Sequence, residues 1–177
     1  MKRFPMIKTS VKTACIFGFP NVGKSTLLSK ITGSTPEIKN YAFTTKSLNI
    51  GYLKNEEFAA KKIQFIDTPG TLDRFFKMNL IEQQAYLALK HCCDGVIFVF
   101  DLTEGYSYEK QFMLFENLKK IKPDTPIIVY LSKSDMIDKS NVNKIGTFVK
   151  QFKDKYKVEA VYDKDVVVKK VLSMFEI

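Results

Sequence analysis

Histidine is almost missing from this 177-residue chain, with His91 its single copy. That leaves little material for a histidine-based metal site or a Ser–His–Asp triad. At the end of an expected helix, His91 suits a cap or dipole contact instead. Cysteine is scarce as well. Cys15, Cys92 and Cys93 make an odd set without metal-ligand spacing, and they read as buried thiols in a reducing compartment. Arginine occurs only as Arg3 and Arg74. Long apolar runs are absent too, the longest clear one being Val96–Phe100, well below the roughly 20 residues a membrane helix needs. No apolar stretch follows Lys2 and Arg3, so neither a secretory signal nor membrane contact is expected, and the chain reads as cytoplasmic.

What is present fits a folded, soluble domain. The chain is long enough to bury a core without staples, and 45% hydrophobic with 27% charged residues is ordinary for a globular protein. No repeat or low-complexity linker divides it, so residues 1–177 read as one domain, expected to be monomeric. The net charge of +9 is almost wholly lysine. Only Lys150–Lys157 (KQFKDKYK) forms a dense cluster, and solvated lysine faces account for the charge as well as RNA contact does.

Short apolar segments alternate with amphipathic ones. Val11–Phe17 ends in an apolar run, Ile63–Ile66 ends at Asp67, and Val96–Phe100 and Ile127–Leu131 are continuous apolar runs of the kind expected for strands covered on both faces. Ser47–Leu53 alternates like a half-exposed edge strand, and Val158–Tyr162 is a weaker last strand. Helical stripes run through Ile81, Ala85, Ala88, Leu89 and Cys92; through Leu114, Leu118 and Ile121; through Val142, Ile145, Val149 and Phe152; and through Val168, Val171, Leu172 and Phe175. Such alternation predicts an α/β fold with a mainly parallel sheet, and ligands at the carboxyl ends of its strands.

Chemistry concentrates at those ends. Gly18-Phe19-Pro20-Asn21-Val22-Gly23-Lys24-Ser25 fits GxxxxGK[ST] at each fixed position, after a strand and before a helix expected from about Lys24 to Thr32. Its glycines let backbone amides point at phosphate oxygens, Lys24 adds positive charge, and the Ser25 hydroxyl is placed to ligate Mg2+. Thr26 extends the expected phosphate contacts. Asp67-Thr68-Pro69-Gly70 offers a strand-end carboxylate suited to an outer-shell Mg2+ partner and an amide at Gly70 that can sense a terminal phosphate. In Ser132-Lys133-Ser134-Asp135, Asp135 can accept two hydrogen bonds from guanine's ring and exocyclic nitrogens. Adenine lacks that donor pair, so GTP and GDP are expected over ATP. Between the first two motifs, Phe43, Thr44 and Thr45 stand where a threonine can hold Mg2+ only while the terminal phosphate is present, the physical basis of a switch.

GFPNVGKSTLL, NYAFTTKSLNIGYL, IDTPGTLDR, IEQQAYLALKH and VIFVFDLTE together resemble the Obg-type P-loop GTPases, nearest the nucleolar GTP-binding branch and its archaeal relatives. The resemblance covers about residues 11–135. It implies a Ras-like three-layer sandwich, with a mainly parallel six-stranded sheet and one antiparallel edge strand. It points to Thr45 as the magnesium threonine, and to large ribosomal subunit assembly, with ribosomal RNA or a pre-ribosomal particle as partner. A nucleolar location would follow if the source is eukaryotic.

Several positions depart from the pattern. The guanine motif normally opens with Asn, and Ser132 weakens its tie to the phosphate loop. No final Ser-Ala-Lys motif is recognisable, with Lys164 a candidate for its third position. Thr71, followed by Leu72, occupies the place where a glutamine often orients water, so hydrolysis would rest on Lys24, Thr45, Gly70 and Asn21 and be slow. Asn21 resembles the loop asparagine of GTPases that bind K+ in place of an arginine finger; the competing reading is an asparagine that supports the loop. Arg74 reads as a surface residue or an internal charge donor, and Phe75 and Phe76 as packing residues or a partner patch. The resemblance implies an N-terminal helical region and often C-terminal extensions beyond the GTPase domain in members of this branch. Two functions stay in view: a slow GTP hydrolase switch, and a non-catalytic GTP/GDP-binding adaptor for RNA or protein.

Overall fold

The five-residue segment Thr13–Phe17 (β1) is buried at each position, which a strand achieves only when covered on both faces and paired on both edges. The computed structural model describes residues 11–33, 37–40, 47–54, 62–68, 92–138 and 141–176. After β1 come helix α1 (Lys24–Thr32), β2 (Glu37–Asn40), β3 (Ser47–Lys54), β4 (Lys62–Asp67) and β5 (Gly95–Asp101). Helix α2 (Tyr108–Ile121), β6 (Ile127–Ser132), a short 3-10 turn (Ser134–Met136), α3 (Val142–Tyr156), β7 (Glu159–Val161) and α4 (Lys164–Met174) complete them. The helical stripe expected from Ile81 to Cys92 falls almost wholly outside the described residues.

The strands form one sheet in the order β2-β3-β4-β1-β5-β6-β7. β4, β1, β5, β6 and β7 run parallel, and β3 opposes β4, as the mainly parallel sheet with one antiparallel strand requires. The structure adds a seventh strand. β2 pairs antiparallel with β3, Glu37 opposite Ile50 and Asn40 opposite Ser47, so β3 lies inside the sheet. Its sequence, EIKN, has neither an apolar run nor clear alternation, and backbone pairing alone marks it. Ile50 is buried in the core rather than half-exposed.

Helices α1 and α4 pack on one face of the sheet. On the other, Phe98 and Phe100 of β5 meet an aromatic cluster from α2 and α3: Phe112, Phe115, Phe148, Phe152 and Tyr156. Phe152 stands edge-on to both Phe100 and Phe115, with ring centroids 5.4 and 5.2 Å away, a favoured arrangement of ring quadrupoles. These rings correct the expected α3 stripe. The buried positions are Phe148, Phe152 and Tyr156, while Ile145 and Val149 are half-buried and Val142 is exposed. Steps of four residues bring three large aromatics onto one face, and their area outweighs the smaller stripe. In α4, likewise, Val167, Val171 and Phe175 are buried, with Val168 and Leu172 flanking them. Ile121, expected on the α2 stripe, lies exposed at its end.

The cysteines also need correction. Cys15 of β1 and Cys93, just before β5, are buried with their sulfurs in direct contact and Cα atoms 5.8 Å apart, within disulfide range. Cys92 alone stays unpaired, and it is half-buried rather than buried as expected. Among the described residues, no helix is long and apolar enough to cross a membrane.

Removing the central ring should therefore cost heavily. Phe152→Ala is expected to destabilise the chain by about 3–5 kcal/mol in urea unfolding, against less than ~1 kcal/mol for Val142→Ala on the exposed side of the same helix.

Candidate functional site

Four adjacent parallel strands, β4, β1, β5 and β6, end at the same side of the sheet, and each carries a candidate residue there. β1 passes into Gly18. A Cβ built on Gly18 would lie 2.7 Å from the Val99 carbonyl of β5, so the loop lies against the sheet only because this residue has no side chain. The chain then turns through Asn21 at φ 61 and Gly23 at φ 100, both left-handed. Asparagine tolerates that region better than most residues, which gives Asn21 a backbone reason to be there. Val22 is fully buried and anchors the loop.

Gly23 caps α1, and no side chain supplies the cap bond; the first turn contains no acidic residue. Amides at this end are oriented outward and reinforced by the helix dipole, the usual arrangement for gripping an anion. Lys24, the first residue of the helix, is only 7% exposed. Its ammonium donates to the Phe19 carbonyl at 2.7 Å. Burial holds its pKa below the ordinary lysine range, and the Asp67 carboxylate partly opposes that shift. With one of three donors used among the described residues, it retains capacity for phosphate oxygens.

Asp67 ends β4, buried beside the loop. Its Oδ2 accepts from the Ser25 hydroxyl at 2.5 Å and from the Asn49 side-chain amide at 3.1 Å. Its Oδ1 is buried without a hydrogen-bond partner among the described residues. A carboxylate oxygen held dry and unpaired, next to a serine hydroxyl, is a donor set that a small hard cation would complete. The residues present therefore fit Mg2+. Asn49 escaped the sequence reading; only the register that sets it opposite Asp67 on β3 exposes it. Thr68 closes this end by donating through its hydroxyl to the Ile16 carbonyl at 2.8 Å.

The guanine candidates lie past β6. Ser132 is buried, and its hydroxyl donates to the Phe100 carbonyl at 3.3 Å. Lys133 adopts a left-handed conformation, φ 57, and its ammonium donates to Asp101 Oδ2 at 2.6 Å. Asp135 is exposed on the 3-10 turn. Lys164 opens α4 behind the Asp163 cap, after β7. Phe19, Pro20 and Thr26 complete the phosphate-loop surroundings, Phe19 buried and Thr26 exposed. Asp101, Gln111 and Tyr106 are further polar and aromatic partners that the motifs did not reveal.

Thr45, Thr44, Phe43, Gly70, Thr71, Leu72, Arg74, Phe75, Phe76 and His91 lie outside the described residues. The structure thus brings Lys24, Ser25 and Asp67 together and sets Ser132 beside Gly23, a Cβ on which would lie 3.8 Å from Ser132 Cβ.

Residues 13–133 match the family model of 50S ribosome-binding GTPases. The chain is 42% identical over 145 residues to an uncharacterised protein of Methanocaldococcus jannaschii, covering 80% of this chain and 39% of that one. It is 41% identical over 140 residues to nucleolar GTP-binding protein 1 of Drosophila melanogaster, covering 77% of this chain and 21% of that one. It thus spans about two fifths and one fifth of these relatives. Among solved structures, Era in complex with MgGDPNP and a 16S ribosomal RNA segment superposes with a TM-score of 0.68 at 26% identity, covering 93% of this chain and 56% of that one. The G domain of the T. maritima FeoB iron transporter shares the fold at a TM-score of 0.65 and 21% identity, covering 94% of this chain and 98% of that one. A phosphate loop, a strand-end aspartate and a guanine-type segment in this order, on this sheet, with a family match over more than half its length, make the chain a member of the 50S ribosome-binding GTPases.

Proposed function

We propose that the chain acts as one nucleotide-binding domain that holds GTP or GDP with Mg2+ at the Gly18–Ser25 loop and hydrolyses GTP slowly as a switch. The observation that carries this reading is the Ser25–Asp67 pair with its orphaned carboxylate oxygen beside a buried lysine. Ser25, Thr45 and Asp67 would hold the metal. Bound there, Mg2+ would neutralise charge on the phosphate oxygens. Lys24 exchanges its carbonyl partner for a phosphate oxygen, relieving a desolvated ammonium with an anion. Amides of Gly18, Phe19, Pro20, Asn21, Val22, Gly23 and Thr26 line the phosphates, and the Gly70 amide meets the terminal one. Phe43 and Thr44 precede Thr45 in the segment between β2 and β3, and loss of the terminal phosphate would release the Thr45 and Gly70 segments. Ser132, Lys133 and Asp135 receive the base.

A second ion, K+, is proposed at Asn21 from its resemblance to the loop asparagine of GTPases that bind K+ in place of an arginine finger. A role in large ribosomal subunit assembly is supported by the family match and by the nucleolar relatives. The exposed lysines 150, 153, 155 and 157 at the end of α3 suit contact with ribosomal RNA or a pre-ribosomal particle. We place the chain in the cytoplasm, or the nucleolus of a eukaryotic source, as a monomer without membrane contact. The rival reading, an adaptor that binds GTP and GDP without turnover, is favoured by Thr71 in place of a water-orienting glutamine.

Single-turnover phosphate release separates the two. With GTP, Mg2+ and K+, release is expected to exceed that of Lys24→Ala by about 100-fold. It is expected to slow when Na+ replaces K+. No difference from Lys24→Ala would establish the adaptor, and equal rates in the two salts would remove potassium from the account. For Asp67→Asn, the Mg2+ concentration that half-saturates GTP retention is expected to rise about 10–100-fold, with GTP binding in the absence of metal changed far less. An unaltered magnesium dependence would remove Asp67 from the metal site.

A further inference from the structure

The guanine segment and the phosphate loop lie side by side, yet Ser132 makes no hydrogen bond across the gap among the described residues; its hydroxyl is spent on the Phe100 carbonyl of its own sheet. A different element joins the two. Asp101 at the end of β5 reaches the guanine segment, and the connector 102–107 that follows it reaches the phosphate loop.

At the first end, Asp101 is 1% exposed, and its Oδ2 accepts from Lys133 at 2.6 Å. Its Oδ1 accepts from the Thr103 amide at 2.8 Å and the Thr103 hydroxyl at 2.7 Å, so both carboxylate oxygens are engaged and the side chain has one orientation. A buried pair of this kind fixes direction, and Lys133 needs fixing because it sits in a left-handed conformation two residues before Asp135.

At the other end, the Tyr106 ring stacks on Phe19, second residue of the phosphate loop, with centroids 4.2 Å apart and planes 16° from parallel. Between the ends stands Gln111, fully buried in α2. Its oxygen accepts from the Asp101 amide at 2.7 Å, and its nitrogen donates to the carbonyls of Asp101 at 3.0 Å and Tyr106 at 2.9 Å. Tyr108 adds a fourth fastening by donating to the Leu102 carbonyl at 2.7 Å. Lys133, Asp101, Gln111, Tyr106 and Phe19 thus form one continuous path.

We propose that this path is the tie between guanine segment and phosphate loop that Ser132 does not supply, with Asp101 and Tyr106 as positioning residues for the nucleotide. The inference rests on the guanine-nucleotide reading of the site. Two subsites held in register before binding cost less ordering when one ligand bridges them. The tie therefore strengthens ligands that span both loops and is indifferent to those that fill only one.

That difference supplies the test. Release of a fluorescent GDP analogue and binding of inorganic tripolyphosphate are measured for the 177-residue chain and for Tyr106→Ala, Tyr106→Phe, Asp101→Asn and Ser132→Asn. Tyr106→Ala and Asp101→Asn are expected to release GDP about tenfold faster and leave tripolyphosphate affinity unchanged. Tyr106→Phe keeps the stack and is expected to match the original chain. Adding Ser132→Asn to Tyr106→Ala is expected to recover most of the loss, because an asparagine restores a direct tie. Unchanged GDP release in Tyr106→Ala would overturn the proposal, as would an equal loss for tripolyphosphate or a penalty that Ser132→Asn leaves intact. If breaking the buried pair unfolds Asp101→Asn, the half-buried Tyr106 variants carry the decision. Failure of the original chain to bind GDP would refute the nucleotide reading itself, an outcome distinct from normal binding with indifferent variants.

Discussion

The central position of β1, paired with β4 on one side and β5 on the other, is the constraint on which the site depends. Its residues face neighbours above, below and to both sides, so its carboxyl end cannot shift without moving the sheet. Its start is equally fixed: the Thr13 amide donates to Asp94, and the Thr13 hydroxyl accepts from Gln64 of β4. A phosphate loop can curl its amides toward one point only if the strand entering it and the helix leaving it are both immobile. β1 supplies the first, and α1, packed over β3, β4 and α4, supplies the second.

From that frame follows an electrostatic arrangement that is costly without a ligand. Lys24 is buried with its charge disfavoured, and Asp67 is buried with one oxygen unpartnered. Each partly compensates the other, and neither is fully satisfied within the described residues. Polar groups left in this condition are uncommon in folded proteins, and functional sites are where they gather. An anion with a small cation would satisfy both at once.

Much of this was legible in the sequence. Strand-to-helix context identified the loop, and α1 begins and ends where the pattern put it, at Lys24 and Thr32. Asp67 and Ser132 close β4 and β6 as their apolar runs implied. What escaped depended on register and long-range packing. Asn49 matters because it faces Asp67 across a strand pair, and Asp101 because it meets Lys133 from the next strand. β2 carries no side-chain signature, and the α3 stripe was read from aliphatic spacing while aromatic area governed its orientation. The Cys15–Cys93 contact joins residues 78 apart in sequence, a separation over which spacing carries no signal.

The proposed function turns on selective recognition of guanine at the Ser132–Asp135 segment beside the Gly18–Ser25 loop. Competitive titration of the chain with GTP, GDP and ATP, with and without Mg2+, tests it most directly. The proposed role of Asp135 predicts that GTP and GDP bind at least about 100-fold more tightly than ATP, because adenine lacks the donor pair that the carboxylate would accept. The proposed metal site predicts that Mg2+ strengthens GTP binding. Comparable affinity for ATP, with no response to the metal, would contradict the claim.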